Sequence, residues 1–177
     1  VLFFFKYYNF LAGSIDGFFG ADLTLNLILP VGISFYTFQT LSYSIDVFRG
    51  NIKAEHHFGY YALFVSFFPQ LVAGPIERPD NLLPQLHAEH KFNTDDLYVG
   101  SKRMLAGFFK KIVVADTVAP YVNAVYNNAS DAKGLSIIIA TLLFAVQIYC
   151  DFSGYTDIAI GCARVMGYRL MQNFDRP

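Results

Sequence analysis

The sequence predicts an all-α, polytopic membrane protein, and its composition carries that prediction. Hydrophobic residues make up 54% of the 177 residues, against about 45–50% in an average soluble protein. Charged residues make up 15%, whereas soluble domains hold about 25%. Several windows of the chain also approach the ~20 mostly apolar residues that a membrane-spanning helix needs. We therefore expect five or six membrane helices, some of them partial.

Apolar runs place the predicted helices, and polar or proline-containing stretches separate them. Pro30 falls near the start of the second helix, Pro69 interrupts the third, and the sixth is short and polar. Ser153 is placed to cap the sixth helix, with Asp157 near its positive N-terminal end. In chain order, the helices cover residues 1–11 (the end of a helix), 25–47, 57–73, 104–125, 135–149 and 154–170.

The longest hydrophilic stretch, residues 77–103, separates the third predicted helix from the fourth. Pro79 and Pro84 punctuate it, so we expect an interfacial loop with surface helices. Six Lys or Arg residues lie between positions 78 and 111, whereas residues 127–134 hold only one. Because positive residues concentrate on the cytoplasmic side of membrane proteins, this asymmetry predicts a cytoplasmic loop.

Charge, cysteine content and histidine positions exclude several classes of protein. The net charge of −1 argues against a nucleic-acid binder, since such partners are usually met by a basic excess. Cys150 and Cys162 lie in one apolar region, which predicts small buried residues and no disulfide framework. The four histidines all lie in or beside hydrophilic loops. They do not supply the four well-placed ligands of a closed zinc site, so we predict no metal site.

Polar residues form a stripe on the second predicted helix. At 3.6 residues per turn, they fall near one face. Asp46 and Arg49 are three positions apart, so they can pair near the helix end and reduce the cost of dehydrating either charge. The stripe consists of Gly32, Tyr36, Gln39, Tyr43, Asp46 and Arg49.

A second polar stripe follows the most apolar run of the chain. A lone carboxylate in hydrocarbon costs several kcal/mol or becomes neutral. Asp151 and Asp157 should therefore face protein or a wet cavity. Gly154 and Gly161 on the same helix would let another backbone or a substrate come close. Two interpretations stay open: polar contacts that join helices, or a buried polar passage.

The two adjacent lysines of the fourth predicted helix receive a simpler interpretation. Lys110 and Lys111 lie near one end of that helix. Their long stems are therefore expected to reach toward lipid headgroups.

Four sequence blocks together resemble the membrane-bound O-acyltransferase family, and within it the alginate O-acetyltransferase branch. The branch that moves D-alanine onto teichoic acids shares a looser version of them. The blocks occur in the family's order and cover more than half of the chain, so residues 1–177 are interpreted as a partial domain of this family. They are LPVGISFYTFQTLSYSIDVFRG, FFPQLVAGPIERPDNLLPQL, GFFKKIVVAD and YCDFSGYTDIAIGCARVMGYRLMQNFDRP.

The resemblance implies a multi-pass protein of the bacterial inner membrane whose helices surround a tunnel. Such a protein would transfer an acyl group, most simply acetyl, to hydroxyls of an extracytoplasmic polysaccharide. The donor would be acetyl-CoA or an acyl carrier, used as a co-substrate, with no bound cofactor. Expected partners are membrane lipid, the polysaccharide acceptor and an extracytoplasmic acyl-relay or acetyltransferase protein.

The resemblance also implies how the site is divided along the chain. The family's catalytic histidine is expected downstream of Pro177, and none of the four histidines present matches it. We therefore predict no catalytic residue among residues 1–177, and expect Asp151 and Asp157 to position helices around the chamber. The residues predicted to line the tunnel or chamber are Gln39, Asp46, Gln70, Gly74, Pro75, Tyr149, Asp151, Ser153, Tyr155, Asp157 and Asn173.

Two other function classes stay open at this stage. Broken helices with carboxylates near the midplane also mark transporter or channel segments. A noncatalytic membrane scaffold of a polysaccharide-export complex is the third hypothesis.

Overall fold

A computed structural model describes residues 2–19, 25, 28, 30, 32–71, 74–128, 130 and 132–174. Within these residues the chain is helical, with no β-strand. The elements in order are α1 (Leu2–Phe19), α2 (Ile33–Phe48), α3 (Phe58–Val65), a short 3₁₀ turn (Phe68–Gln70), α4 (Pro79–His87), α5 (Thr94–Phe108), a π-helical segment (Phe109–Ala115), α6 (Asp116–Tyr126) and α7 (Gly134–Val165).

Two long helical rods form a hairpin. The first rod runs without a break through α5, the π segment and α6, and the second is α7. The Oδ1 atom of Asn93 accepts a hydrogen bond from the Asp95 N–H at 2.9 Å and caps the start of α5. Asp95 and Asp96 lie in the first turn, where their charges complement the positive helix end. We refer to α5, the π segment, α6 and α7 together as the hairpin.

Glycines at matched positions allow the two rods to approach closely. A Cβ placed on Gly107 would lie 2.5 Å from the carbonyl oxygen of Gly154. One placed on Gly161 would lie 2.6 Å from the carbonyl oxygen of Gly100. The lower-numbered glycine of the first rod meets the higher-numbered glycine of the second, so the two rods are antiparallel. The prediction that Gly154 and Gly161 admit a neighbouring backbone is confirmed.

The predicted fifth and sixth helices are one continuous helix, α7. Ser153 is therefore an interior residue and not an N-cap, and Asp157 is not near a helix start; both predictions are wrong. Residues 134–165 contain no proline, and Gly154 packs against the first rod. Tertiary contact thus supports the helix where the polar sequence suggested a break. The helix ends at Val165, and Gly167 follows its C-cap with a φ of +90°, which is favourable for glycine.

The predicted interfacial loop also contains regular structure. Helix α4 fits the expectation of a surface helix within residues 77–103, and Pro79 occupies its first turn, where the missing N–H costs nothing. Residues 94–103, however, belong to α5, so the fourth predicted helix begins ten positions earlier than expected at 104. The third predicted helix ends at Val65, before the 3₁₀ turn at Pro69.

A small apolar core joins α3, α4 and the end of α7. Phe64, Leu82 and Ala163 are fully buried in it. This core fixes α4 beside the residues that follow α7. Its members are Phe64, Phe67, Leu82, Leu83, Leu86, Ile160, Ala163 and Leu170.

The two halves of α7 differ in exposure. Residues 153–163 are largely buried, whereas Leu135, Ile138 and Leu142 are 60–69% exposed. Among the described residues, α7 is the one helix long and apolar enough to cross a membrane, with a mean hydropathy of 2.0 over its best window. An all-helical, apolar chain of this kind fits a membrane protein.

Candidate functional site

A polar cavity of about 300 Å³ opens beside the hairpin. It takes side chains from α5, the π segment, α7 and the residues after α7. The aromatic rings of Tyr149 and Phe174 meet edge to face at 5.9 Å across these elements. The lining consists of Arg103, Lys110, Tyr149, Ser153, Thr156, Asp157, Gln172 and Phe174.

Asp157 holds two cations at the wall of this cavity. Its Oδ1 accepts from Arg103 Nε at 2.9 Å, and its Oδ2 accepts from Lys110 Nζ at 2.7 Å. The Asp157 side chain is 17% exposed, against 30% and 33% for the two cations. A charge-assisted pair on each carboxylate oxygen fixes the positions of all three groups. The expectation that Asp157 faces protein or a wet cavity is confirmed.

The π segment brings the neighbouring lysine into a second ion-pair group. Lys111 Nζ lies 2.7 Å from Asp151 Oδ1 on α7 and 2.8 Å from Asp116 Oδ1, five residues ahead. Adjacent residues of an α-helix point about 100° apart, but here Lys110 and Lys111 both reach carboxylates of α7. The prediction that these lysines extend toward headgroups is wrong, because α7 offers carboxylates within reach.

Two buried hydroxyls lie at the cavity. Ser153 and Thr156 are each 2% exposed. Within the described part of the chain, neither Ser153 Oγ nor Thr156 Oγ1 has a hydrogen-bond partner. A buried polar group is normally paired, so these two atoms are candidates for contact with a ligand.

The segment after α7 is held by Glu77, which lies just before α4, and by Asn81 and Gln85 of α4. The Glu77 carboxylate accepts from Asn81 Nδ2, and from the Met171 N–H at 2.8 Å. Gln85 accepts from the Arg169 N–H at 2.8 Å and donates to the Arg169 carbonyl at 3.0 Å. We refer to Glu77, Asn81 and Gln85 as the α4 clamp. The segment it holds leads directly to Gln172 and Phe174 of the cavity.

Burial shifts the pKa of the carboxyl at the centre of the clamp. Glu77 is 0% exposed. Loss of hydration raises the pKa of Glu77, although the hydrogen bonds from Met171 and Asn81 act in the opposite direction. This carboxyl is therefore easier to protonate than an ordinary glutamate.

A second carboxylate, Glu55, shows the opposite shift. Its Oε2 lies 2.7 Å from His87 Nε2, and its Oε1 accepts from the His57 N–H at 2.8 Å. The hydrogen bond with His87, followed by that from the His57 N–H, lowers the pKa of Glu55. Among the described residues no group of three or more His, Cys, Asp or Glu side chains could hold a metal ion.

The structure gathers only part of the predicted site at the cavity. Tyr149, Ser153 and Asp157 line it. Asp151 lies on α7 in the second ion-pair group. Tyr155 is half-buried on α7, outside the described lining, and Asn173 is exposed between two lining residues.

Two of the predicted residues, Gln39 and Gln70, meet at one backbone carbonyl of α3. Gln39 Nε2 donates to the Phe64 carbonyl at 2.9 Å, and Gln70 Nε2 donates to the same oxygen at 3.3 Å. Gly74 and Pro75 are buried beyond the 3₁₀ turn, where a Cβ on Gly74 would meet Gln70 Cα at 2.4 Å. The two glutamines thus join α2, α3 and the turn.

Asp46 lies apart from both clusters and does not make its predicted pair. It accepts from Asn51 Nδ2 at 3.0 Å, and among the described residues no ion pair joins it to Arg49. The loop after α2 provides a neutral donor, so the three-residue spacing did not decide the partner.

Three residues at the cavity and the clamp were not predicted as site residues: Arg103, Lys110 and Glu77. The cations were interpreted from their own segments, without the carboxylates of α7 as partners. Counting unpaired carboxylates and cations on neighbouring apolar helices would have suggested the pairing. No local signal distinguished Glu77 from the other charges of its hydrophilic stretch.

Comparison with known proteins covers the whole chain. It is 40% identical over its full length to the probable alginate O-acetylase AlgI of Pseudomonas aeruginosa, of which the match covers 35%. It is 32% identical to the peptidoglycan O-acetyltransferase of Helicobacter pylori, over 98% of the chain and 38% of that protein. The resemblance to the membrane-bound O-acyltransferase family and its alginate branch is confirmed.

More distant similarity agrees with this family. The teichoic acid D-alanyltransferase of Bacillus subtilis is 27% identical over 86% of the chain and 39% of that protein. No family model matches the chain. The chain spans about a third of the length of the curated relatives it matches.

Proposed function

We propose that this chain is part of a membrane-bound O-acyltransferase that acetylates an extracytoplasmic polysaccharide. The observation that carries the proposal is the 40% identity, over the full chain, to a protein named as a probable alginate O-acetylase. The three kinds of relatives named above are all named for attaching acetyl or alanyl groups to polymers, so the proposal rests on that shared chemistry.

The residues described here would build part of the chamber wall. Asp157 would hold Arg103 and Lys110 in place, and the α4 clamp would hold Gln172 and Phe174. The general base, a histidine suited to titration near neutral pH, would come from outside residues 1–177. Asp157 would act as a positioning residue, because both of its oxygens already accept from cations.

Donor, acceptor and partners follow from the same family. Acetyl-CoA or an acyl carrier would supply the acetyl group. A hydroxyl of the polysaccharide, or an acyl-relay or acetyltransferase protein outside the cytoplasm, would receive it. The protein would lie in the bacterial inner membrane with several spans, and residues 77–103 would face the cytoplasm.

Chemical analysis of the polysaccharide tests this proposal. Mild alkali releases acetate from acetyl esters and D-alanine from alanyl esters, so it separates the two branches. We expect acetate release to require the intact protein, by comparison of producing cells with cells that lack its gene. If neither ester depends on the protein, the acyltransferase proposal fails, and the transporter, channel and scaffold hypotheses replace it.

A further inference from the structure

The buried hydroxyls of Ser153 and Thr156 lower the stability of the folded protein. Leaving a buried donor without a partner costs about 1–3 kcal/mol. Both residues line the cavity, and both hydroxyls lack partners within the described residues. Alanine and valine would fill the same volumes without that penalty. A ligand that accepts hydrogen bonds from these hydroxyls would remove it.

The charge of the lining favours an anion. Arg103 and Lys110 contribute two positive charges and Asp157 one negative charge, which gives a net charge of +1 for the described lining. Arg103 uses Nε for Asp157, so the guanidinium retains further N–H donors. Lys110 likewise has more donors than its single bond to Asp157 consumes.

We propose that this cavity binds an oxyanionic group of a substrate, with Ser153, Thr156, Arg103 and Lys110 as its donors. The inference rests on the proposed function and assigns a substrate group to the chamber. A cavity of about 300 Å³ lies at the small end of ligand sites, which are roughly 300–1,000 Å³. It therefore takes an anionic group of a larger molecule. That group is the phosphate of an acyl donor or the carboxylate of an acidic polysaccharide.

Binding of inorganic phosphate to the intact, detergent-purified protein gives the first test. Thermal unfolding is followed during a phosphate titration, with chloride at equal ionic strength as the reference. A ligand that binds the folded state raises the melting temperature as its concentration rises. We expect this rise in the wild type. Its absence overturns the proposal.

Two hydroxyl deletions locate the site. We expect Ser153→Ala and Thr156→Val each to weaken phosphate binding about tenfold, since a hydrogen bond to a charged group is worth roughly 1.5–3 kcal/mol. Without phosphate, both variants should melt at or above the wild-type temperature. Ser136→Ala and Thr141→Val remove exposed hydroxyls from the same helix and serve as matched controls. Unchanged phosphate affinity in both cavity variants overturns the proposal.

Competition identifies the source of the oxyanion. Acetyl-CoA displaces phosphate if the site takes a donor phosphate, and a short oligouronate displaces it if the site takes an acceptor carboxylate. Displacement by neither means an adventitious ion only and rejects the site. The alkali assay separates this failure from that of the proposed function: acetyl esters that form without phosphate binding reject the oxyanion site alone.

Discussion

The hairpin positions its side chains at the cavity with charged pairs, whereas the α4 clamp positions Gln172 and Phe174 with hydrogen bonds around one carboxyl. Asp157 on the hairpin is partly hydrated and contacts two cations. Glu77 in the clamp is fully buried and contacts an amide and a backbone N–H. Two cations thus hold the Asp157 carboxylate in place, while burial raises the pKa of Glu77. The two regions should respond differently to mutation and to pH.

The largest effect is expected from Asp157→Asn in the intact protein. Loss of the carboxylate releases Arg103 and Lys110, and a displacement of about 1 Å at a reactive site can lower a rate ~100-fold. We expect the proposed acetyl transfer to slow by about that factor, with little change in melting temperature because the cations are about a third exposed. Initial rates measure the loss of activity, and thermal unfolding measures the change in melting temperature.

Two matched variants define the role of Asp157. Asp151→Asn, on the same helix as Asp157, breaks the ion pair with Lys111. Because the Asp151 side chain is 48% exposed, this variant should lose much less activity than Asp157→Asn. Asp157→Glu should recover part of kcat if the residue positions cations. An inactive Asp157→Glu variant with normal substrate KM would instead indicate direct participation in the chemistry.

Next in size is Glu77→Ala, which removes the centre of the clamp. The Met171 N–H and Asn81 Nδ2 lose an acceptor, and a hole remains in a fully buried site. We expect a loss of about 2–3 kcal/mol in the free energy of unfolding. Asp80→Ala, at an exposed position in the first turn of α4, should cost less than about 1 kcal/mol. Equal losses in both variants would contradict a specific clamp.

A smaller loss of stability is expected from Gly107→Ala in the hairpin. The added methyl group would lie 2.5 Å from the Gly154 carbonyl, so the two rods must separate. Overpacking of this kind costs about 1–3 kcal/mol. Gly13→Ala in α1 meets nothing within 4 Å and should stabilise its helix by about 0.5–1 kcal/mol. Thermal unfolding measures both changes. If the melting temperature shifted in the same direction in both variants, close packing of the rods would be refuted.

The smallest effects are opposite pH dependences of Glu77 and Glu55. The raised pKa of Glu77 gives stability that is present below its unfolded value of 4.5 and is lost as pH rises through the folded pKa. The lowered pKa of Glu55 gives stability that is present above 4.5 and is lost as pH falls through the folded pKa. The melting temperature, measured as a function of pH, reports both contributions to stability.

Non-titrating variants separate these two contributions. Glu77→Gln should remove the decrease in stability that accompanies rising pH above 4.5. Glu55→Gln should remove the loss that accompanies falling pH below 4.5. His56→Ala, at an exposed loop position, provides the reference. Variants that shift the pH profile in the same direction would show that the two carboxyls do not differ as the structure indicates.

Much of the helical content was predictable, but the connection between segments was not. Apolar runs located α2, α3, α6 and the first half of α7 because burial and lipid contact both select such runs. The polar stretch at Asp151 and Ser153 suggested a break that the contact of Gly154 with the first rod overrides. Residues 94–103 of α5 were not predicted as part of the fourth helix because their sequence is charged, although surface helices were expected within residues 77–103.

The candidate site divides in the same way. The sequence identified Asp157, Ser153 and Tyr149, since polar residues in an apolar helix require a reason. It could not supply Arg103, which lies 54 positions away from Asp157. Glu77 likewise meets Met171 across 94 positions. Spacing rules apply within one helix, and these contacts exist only once helices pack together.

By itself, the sequence determined an all-helical, apolar chain with carboxylates and glycines close together in one region, because composition and periodicity act locally. Its family blocks determined the class of protein it resembles. The tertiary structure alone decided which cations those carboxylates meet, that two hydroxyls at the cavity have no partner among the described residues, and that the α4 clamp holds the segment after α7. Such pairings depend on distance in space, and only the packing of the helices brings residues so far apart in the chain within hydrogen-bonding reach.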